Sequence, residues 1–256
     1  MKILPPLTKK QKEILLLLYK FRFLNTTHIQ IILNHKNPNR IQTWLKDLTD
    51  KEYIQRNYTR KNFGDSAKPA LYYLAVKGRA FLKDQDTINA DELQKIYKSK
   101  LRSQKFINHC LFVADIYLFF LKQKTESEEI HFFTKNTLAT FDHFPDPLPD
   151  AYLAVKTNDN TKRYFIDLFD EYTPSFVIRR RIKKYLEYSE NATWEAKINS
   201  PLPIILFILP SELAKKHIYW YSRSFLLKSY NDSLVFFLTT KEKIITMAND
   251  AWSKVE

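Results

Sequence analysis

The chain has 256 residues, 45% hydrophobic and 15% aromatic, with 41 Lys and Arg against 28 Asp and Glu for a formal net charge of +13. That apolar content is enough to bury a core and excludes disorder of the whole chain, and the length allows one large or two ordinary domains. A single cysteine excludes a disulfide scaffold and a thiolate zinc site, and suits a reducing compartment.

The charge is unevenly spread. Residues 1–105 hold 22 basic and 9 acidic side chains, whereas residues 106–256 hold 19 of each. The whole excess therefore belongs to the first part of the chain, and a polyanion partner is expected there. The opening Met1–Pro6 stretch is too short and too soon charged for a signal peptide. The longest apolar run, Cys110–Leu121, is broken by Asp115 and falls short of the roughly 20 residues that span a bilayer. A soluble cytoplasmic protein with no membrane contact is expected.

Thr8-Lys9-Lys10-Gln11 fits a capping box, in which hydroxyl and amide side chains satisfy each other's free N–H groups at a helix start. Ile14, Leu17, Leu18 and Phe21 keep helical spacing after it, so a first helix runs to about Phe21. Asn25-Thr26-Thr27 caps a short second helix with Ile29, Ile32 and Leu33 on one face. Asn37-Pro38 opens a third, with a side-chain oxygen at the cap and proline where no N–H is missed. Ile41, Trp44, Leu45 and Leu48 must face inward, which turns Arg40, Gln42, Thr43, Lys46 and Asp47 outward. Asn39, Arg40, Gln42, Thr43 and Lys46 are the candidates to read base edges and touch phosphates.

Tyr53–Tyr58 and Leu71–Val76 read as strands joined by a loop with the turn signal Gly64-Asp65 and the basic residues Arg60, Lys61 and Lys68. Leu74–Leu82 reads as a strand passing into a helix. Three helices followed by a basic hairpin is the order of a winged helix-turn-helix. A helix fits the major groove of duplex DNA, and a hairpin carrying Arg56, Arg60, Lys61 and Lys68 can grip phosphates beside it. The plainer alternative is a solvated surface helix and an ordinary basic loop. Element order, caps and charge together favour DNA binding.

From Asn89 to Gln123 the pattern is helical, without proline or glycine. Lys95, Lys98, Lys100, Arg102 and Lys105 either extend the nucleic-acid surface or form a solvated face. Within Ile107–Asp115, His109 is a lone histidine on an apolar helix and reads as a hydrogen-bonded structural residue; no histidine has metal-ligand spacing. Beyond it, Ile130–Lys135, Ala151–Lys156, Arg163–Phe169, Pro203–Leu209 and Ser233–Thr239 read as strands, with helices over Ser175–Glu190 and Pro210–Leu227. The expected organisation is a winged helix-turn-helix domain over 1–84, a connecting helix over 85–124 and an α/β domain over 125–256.

Asp150, in Pro149-Asp150, heads one of these strands, and Asp167 lies on the next. Carboxylates on neighbouring strands can jointly hold Mg²⁺ or Mn²⁺, which would activate water and offset phosphate charge. They resemble the first two elements of the nuclease motif Pro-Asp…(Asp/Glu)-x-Lys, but Phe169 stands where the lysine belongs. Arg181, Lys183 and Lys184 on the following helix are candidates to replace it. Otherwise Asp150 is a turn residue and Asp167 a satisfied polar group. The missing lysine argues against catalysis, so no cofactor is expected, and Mg²⁺ or Mn²⁺ enters only with nuclease activity.

The winged helix, His109-x-Leu111-x-Val113-x-Asp115, Pro149-Asp150-Ala151, and Phe165-Ile166-Asp167 followed by a helix ending in Lys183-Lys184-Tyr185 together resemble the replication-relaxation family of plasmids and integrative elements. That family usually has Glu at the place of Asp167 and Asp at the place of Phe169, so this chain departs where a metal site would be completed. The resemblance implies an α+β winged helix-turn-helix domain followed by an α/β restriction-endonuclease-like domain. It implies a DNA-binding accessory protein of mobile-element replication or conjugative transfer, whose nuclease-like second domain is structural or holds a partner. The favoured reading is a double-stranded DNA-binding protein whose second domain positions a relaxase, a replication protein or a second subunit of a homodimer. The other readings are a metal-dependent nuclease using Asp150 and Asp167, and a winged-helix transcriptional repressor with a palindromic operator.

Overall fold

The computed structural model describes residues 6–57, 69–83, 85, 88–158, 160–229, 231 and 233–256. The chain divides into two compact units, Met1–Leu118 and Phe119–Glu256.

In the first unit, helix α1 (Lys9–Phe21) starts at the expected capping box: the Gln11 N–H donates to Thr8 Oγ1 at 3.3 Å and the Thr8 N–H to Gln11 Oε1 at 2.9 Å. A two-residue strand β1 (Leu24–Asn25) leads into α2 (Thr26–Ile32), where Asn25 Oδ1 accepts from the His28 N–H. Helix α3 (Pro38–Asp50) is capped by Asn37, whose side chain accepts from the N–H groups of Asn39 and Arg40. Ile14, Leu18, Ile41, Leu45 and Leu48 are fully buried, so α1 and α3 share a core. Strands β2 (Ile54–Asn57) and β3 (Leu71–Leu74) pair antiparallel, and β1 joins the other edge of β3. Helix α4 (Val76–Lys83) follows at once, taking Val76 out of the expected strand. This is a winged helix-turn-helix. Arg60, Lys61, Gly64, Asp65 and Lys68 lie outside the described residues.

The continuous helix expected from Asn89 to Gln123 is instead three pieces: α5 (Ala90–Lys95), a 3-10 turn (Ile96–Leu101) and α6 (Gln104–Gln123). Arg102 is extended, and Ser103 restarts the helix by accepting the Phe106 N–H on its hydroxyl. A serine cap inside a periodic run is a start signal that periodicity alone passes over.

In the second unit, a sheet of order β4-β5-β6-β7-β8-β9 comprises β4 (Glu129–Thr134), β5 (Ala151–Lys156), β6 (Thr161–Leu168), β7 (Ile204–Leu209), β8 (Phe236–Thr240) and β9 (Ser253–Lys254). β4, β5 and β6 are antiparallel, β6, β7 and β8 parallel, and β9 runs antiparallel at the edge. After β4 comes a single turn, α7 (Lys135–Leu138). The crossover from β6 to β7 holds α8 (Ser175–Glu190) and α9 (Thr193–Ile198), the next holds α10 (Glu212–Ser229), and α11 (Lys241–Ile245) follows β8. Right-handed crossovers along strands laid down in one direction put α8 and α10 on one face. The Arg179 guanidinium of α8 indeed sits 4.9 Å from the Tyr221 ring centre of α10. Phe165, Ile182, Tyr185, Trp194, Phe207 and Phe236 fill the core beneath them. Three antiparallel strands continued by parallel crossovers form an α/β restriction-endonuclease-like unit.

Candidate functional site

Helix α3 turns one face inward because Ile41, Leu45 and Leu48 are apolar, and this fixes what the opposite face displays. Asn39, Arg40, Gln42, Thr43 and Lys46 are all exposed. Their chemistry is graded: the Thr43 hydroxyl donates to the Asn39 carbonyl at 2.9 Å, and the Arg40 guanidinium lies 5.7 Å from the Trp44 ring centre. Gln42 and Lys46 face a groove of about 700 Å³ that Arg56 of β2 borders from the hairpin side and Thr26, Thr27 and Gln30 of α2 border from the other. The α2 contribution was not expected from sequence; its signal was the polar start of α2, read only as a cap.

Asp47 does not join the exposed set. Its carboxylate accepts from Gln11 Nε2 at 2.5 Å and from Lys51 Nζ at 2.8 Å, and the Lys51 bond holds its pKa below the ordinary carboxylate range. It ties α3 to α1.

In the second unit the two expected carboxylates do converge. Asp150 precedes β5 and accepts from the N–H of Leu168, the residue after Asp167 on β6, at 2.8 Å. The basic residue that meets them is Arg181 of α8. Its Nε donates to Asp167 Oδ2 at 2.7 Å, its Nη2 to Asp167 Oδ1 at 3.2 Å, and its Nη1 to the Pro147 carbonyl. Tyr185, one helical turn on, donates its hydroxyl to Asp167 Oδ2 at 2.7 Å and accepts from Arg181 Nη2 at 2.8 Å. Lys183 and Lys184 point to solvent, Lys184 paired with Glu187 at 2.7 Å.

Burial pushes the Asp167 carboxyl up; Arg181 draws it back, while the Asp150 charge adds to the rise. Burial also opposes the Arg181 charge, but Asp167 and Tyr185 outweigh it and hold the guanidinium above its ordinary range. The Tyr185 hydroxyl is pushed well up, first by burial and then by the Asp167 charge, so it stays a donor.

These residues do not fit a divalent metal. Both Asp167 oxygens are occupied by three hydrogen bonds, Asp167 and Arg181 are only 6% and 7% exposed, and a guanidinium fills the cation's place. Mg²⁺ demands open octahedral geometry and retained waters. Among the described residues no group of three or more His, Cys, Asp and Glu could hold an ion.

The His109…Asp115 segment contributes a structural contact. Asp115 of α6 lies 2.9 Å from Nε2 of His28, a 5% exposed residue on α2, so the acidic residue of the motif latches α6 to the helix beside α3.

The exposed α3 row, the hairpin and the convergence of Asp150 and the Arg181-paired Asp167 at neighbouring strand ends define a winged helix-turn-helix protein with a nuclease-like α/β unit. The chain belongs to the replication-relaxation family, whose model matches residues 15–201. Membership gives it a DNA-associated role in replication. No curated protein matches the chain. Among solved structures it is similar to a mutant of Lactococcus lactis ZitR, at 20% identity and a TM-score of 0.28 over 46% of this chain and 75% of that one. It is also similar to the restriction endonuclease FokI, at 11% identity and a TM-score of 0.34 over 95% of this chain and 45% of that one. FokI bound to DNA gives 10% identity and a TM-score of 0.32 over the same shares. Among the described residues no helix is long and apolar enough to cross a membrane.

Proposed function

We propose that the protein is a sequence-preferring, double-stranded DNA-binding accessory factor of plasmid or conjugative-element replication or transfer, and that its second unit holds a protein partner without cleaving DNA. The observation that carries the DNA reading is the exposed row Arg40, Gln42 and Lys46 on α3, of which Gln42 and Lys46 face a groove bordered by Arg56, in the part of the chain with the whole charge surplus. A helix presenting amide and guanidinium groups matches major-groove edges, while Lys46 and Arg56, joined by Arg60, Lys61 and Lys68, supply phosphate contacts. The reading of unit 2 as non-cleaving rests on Arg181, which takes up the carboxylate that a metal would need.

Duplex binding measured across a salt series tests the first part. Lys46→Ala is expected to weaken all duplexes alike and to flatten the log–log salt slope by roughly 0.9, whereas Gln42→Ala is expected to relax sequence preference with the slope kept. A Lys46→Ala slope equal to wild type removes α3 from the interface. Incubation of supercoiled plasmid with Mg²⁺ or Mn²⁺ tests the second part. Nicking that Asp150→Ala abolishes would overturn it in favour of a metal-dependent nuclease.

A further inference from the structure

Helix α10 is apolar on both sides. Its inner side, with Ile218 and Ser222 buried and Ala214, Tyr221 and Phe225 packed on the core, faces the sheet. Its outer side carries Leu213, Trp220 and Leu227, which are 66%, 53% and 66% exposed. These three stand seven residues apart, with exposed His217 and Ser224 between them at four-residue steps. That is the 3-4 spacing of a coiled-coil seam, about 21 Å long at 1.5 Å per residue. A helix that sets Leu213, Trp220 and Leu227 along one exposed seam, with only His217 and Ser224 between them, is a helix short of a neighbour.

The flanks say which neighbour. Lys216 and Arg223 occupy the two positions bordering the seam on one side, and Lys228 borders it on the other. No ion pair holds Lys216 or Lys228 among the described residues, and the one acidic residue of the helix, Glu212, is 3.4 Å from Lys215. Arg223 lies 5.6 Å from the Trp220 ring centre and donates from Nε to the Glu256 carbonyl, which holds guanidinium and indole together as one anchor. Trp and Arg are the residue types in which binding energy concentrates. A second copy of this helix would set Lys216, Arg223 and Lys228 against like charges, which opposes pairing.

We propose that α10 docks an acidic amphipathic helix of a partner protein, its apolar residues seated along Leu213, Trp220 and Leu227 and its Asp or Glu flanks against Lys216, Arg223 and Lys228. This rests on the reading of unit 2 as a partner-holding module and names the partner's chemistry. The probe is a labelled synthetic helix about three heptads long, with leucine on the seam and glutamate on the flanks, and its twin with lysine flanks, each titrated into the full-length protein by fluorescence anisotropy. The glutamate peptide is expected to bind and the lysine peptide not. Joint Trp220→Ser and Leu227→Ser is expected to weaken binding roughly tenfold or more. Joint Lys216→Glu and Lys228→Glu is expected to reverse the preference toward the lysine peptide. Circular dichroism and duplex DNA binding, which these exposed substitutions should leave unchanged, report the fold. Equal binding of the two peptides, no binding, or binding indifferent to both double variants would overturn the proposal. Self-association in sedimentation that Trp220→Ser abolishes would overturn it in favour of a second copy. Plasmid nicking would instead sink the underlying reading, with the peptide result left standing on its own.

Discussion

Arg181 and Asp167 meet in a two-point hydrogen-bonded pair, Nε to Oδ2 at 2.7 Å and Nη2 to Oδ1 at 3.2 Å, at the place where a nuclease-like sheet would offer carboxylates to a metal. The pair clasps β6 to α8. Its arms also reach the Pro147 carbonyl and the Tyr185 hydroxyl, so one guanidinium gathers a strand, a loop and a helix.

A buried pair of this kind is costly to break and cheap to replace. Arg181→Leu strands the Asp167 carboxylate in an apolar setting and is expected to destabilise by about 3–5 kcal/mol, whereas Arg181→Leu with Asp167→Leu should recover most of that loss. Urea midpoints of the two single variants and the double variant give the coupling directly. A double variant no more stable than Arg181→Leu would show that the pair is not what holds this corner.

Gly78 decides a sign. On helix propensity alone, Gly78→Ala in α4 would stabilise by about 1 kcal/mol. A Cβ at Gly78, however, would lie 2.1 Å from the Tyr53 carbonyl oxygen, which is itself fixed by the Ala75 N–H at 3.0 Å. Backbone cannot swing aside as a side chain can, so α4 must lift from the β2 end of the hairpin. The expected result is destabilisation by about 1–3 kcal/mol, read as a lowered Tm, with weaker DNA binding if the hairpin moves. A raised Tm would refute the close approach.

These contacts also show what a linear sequence carries. Caps are local chemistry, so Thr8…Gln11 and Asn37-Pro38 marked α1 and α3 correctly, and the apolar strands β5, β6, β7 and β8 fell close to their expected places. The two-residue strands β1 and β9 and the six-residue α9 are too short for any periodicity; α9 exists because Trp194 is buried between left-handed residues Ala192 and Asn199. The site was legible in part. Asp150, Asp167 and the candidate Arg181 could be named from order and charge, and the four-residue step from Arg181 to Tyr185 put both on one face of α8. Which of Arg181, Lys183 and Lys184 turned inward depended on tertiary packing, as did the pairing of Asp115 with His28, 87 residues away. The helix expected over Pro210–Leu227 is present as α10, but nothing in its linear order marks Leu213, Trp220 and Leu227 as the residues that stay in water.

Lys20 should give the first unit a measurable pH dependence. Burial lowers its ammonium from the ordinary 10.5 to about 8, while Nζ lies 5.0 Å from the Tyr117 ring centre. Below about pH 8 the ammonium is charged in both folded and unfolded chains, so the folded state bears the full burial penalty. Between about 8 and 10.5 the folded chain releases this proton while the unfolded chain keeps it, so this group's contribution to stability rises with pH. Tyr117 acts in the opposite sense only above its unfolded range, because burial raises its pKa from 10.0. Across the window between about pH 7.5 and about 9.5, the difference between wild type and a variant lacking the ammonium therefore reports the lysine. Lys20→Met keeps the aliphatic stem and removes the charge. It is expected to raise stability at neutral pH by about 1 kcal/mol and to flatten the rise across that window, measured by urea unfolding at a series of pH values. Parallel stability curves for wild type and Lys20→Met would show that this ammonium is not held in a desolvated site, and would leave its aromatic contacts as the dominant effect.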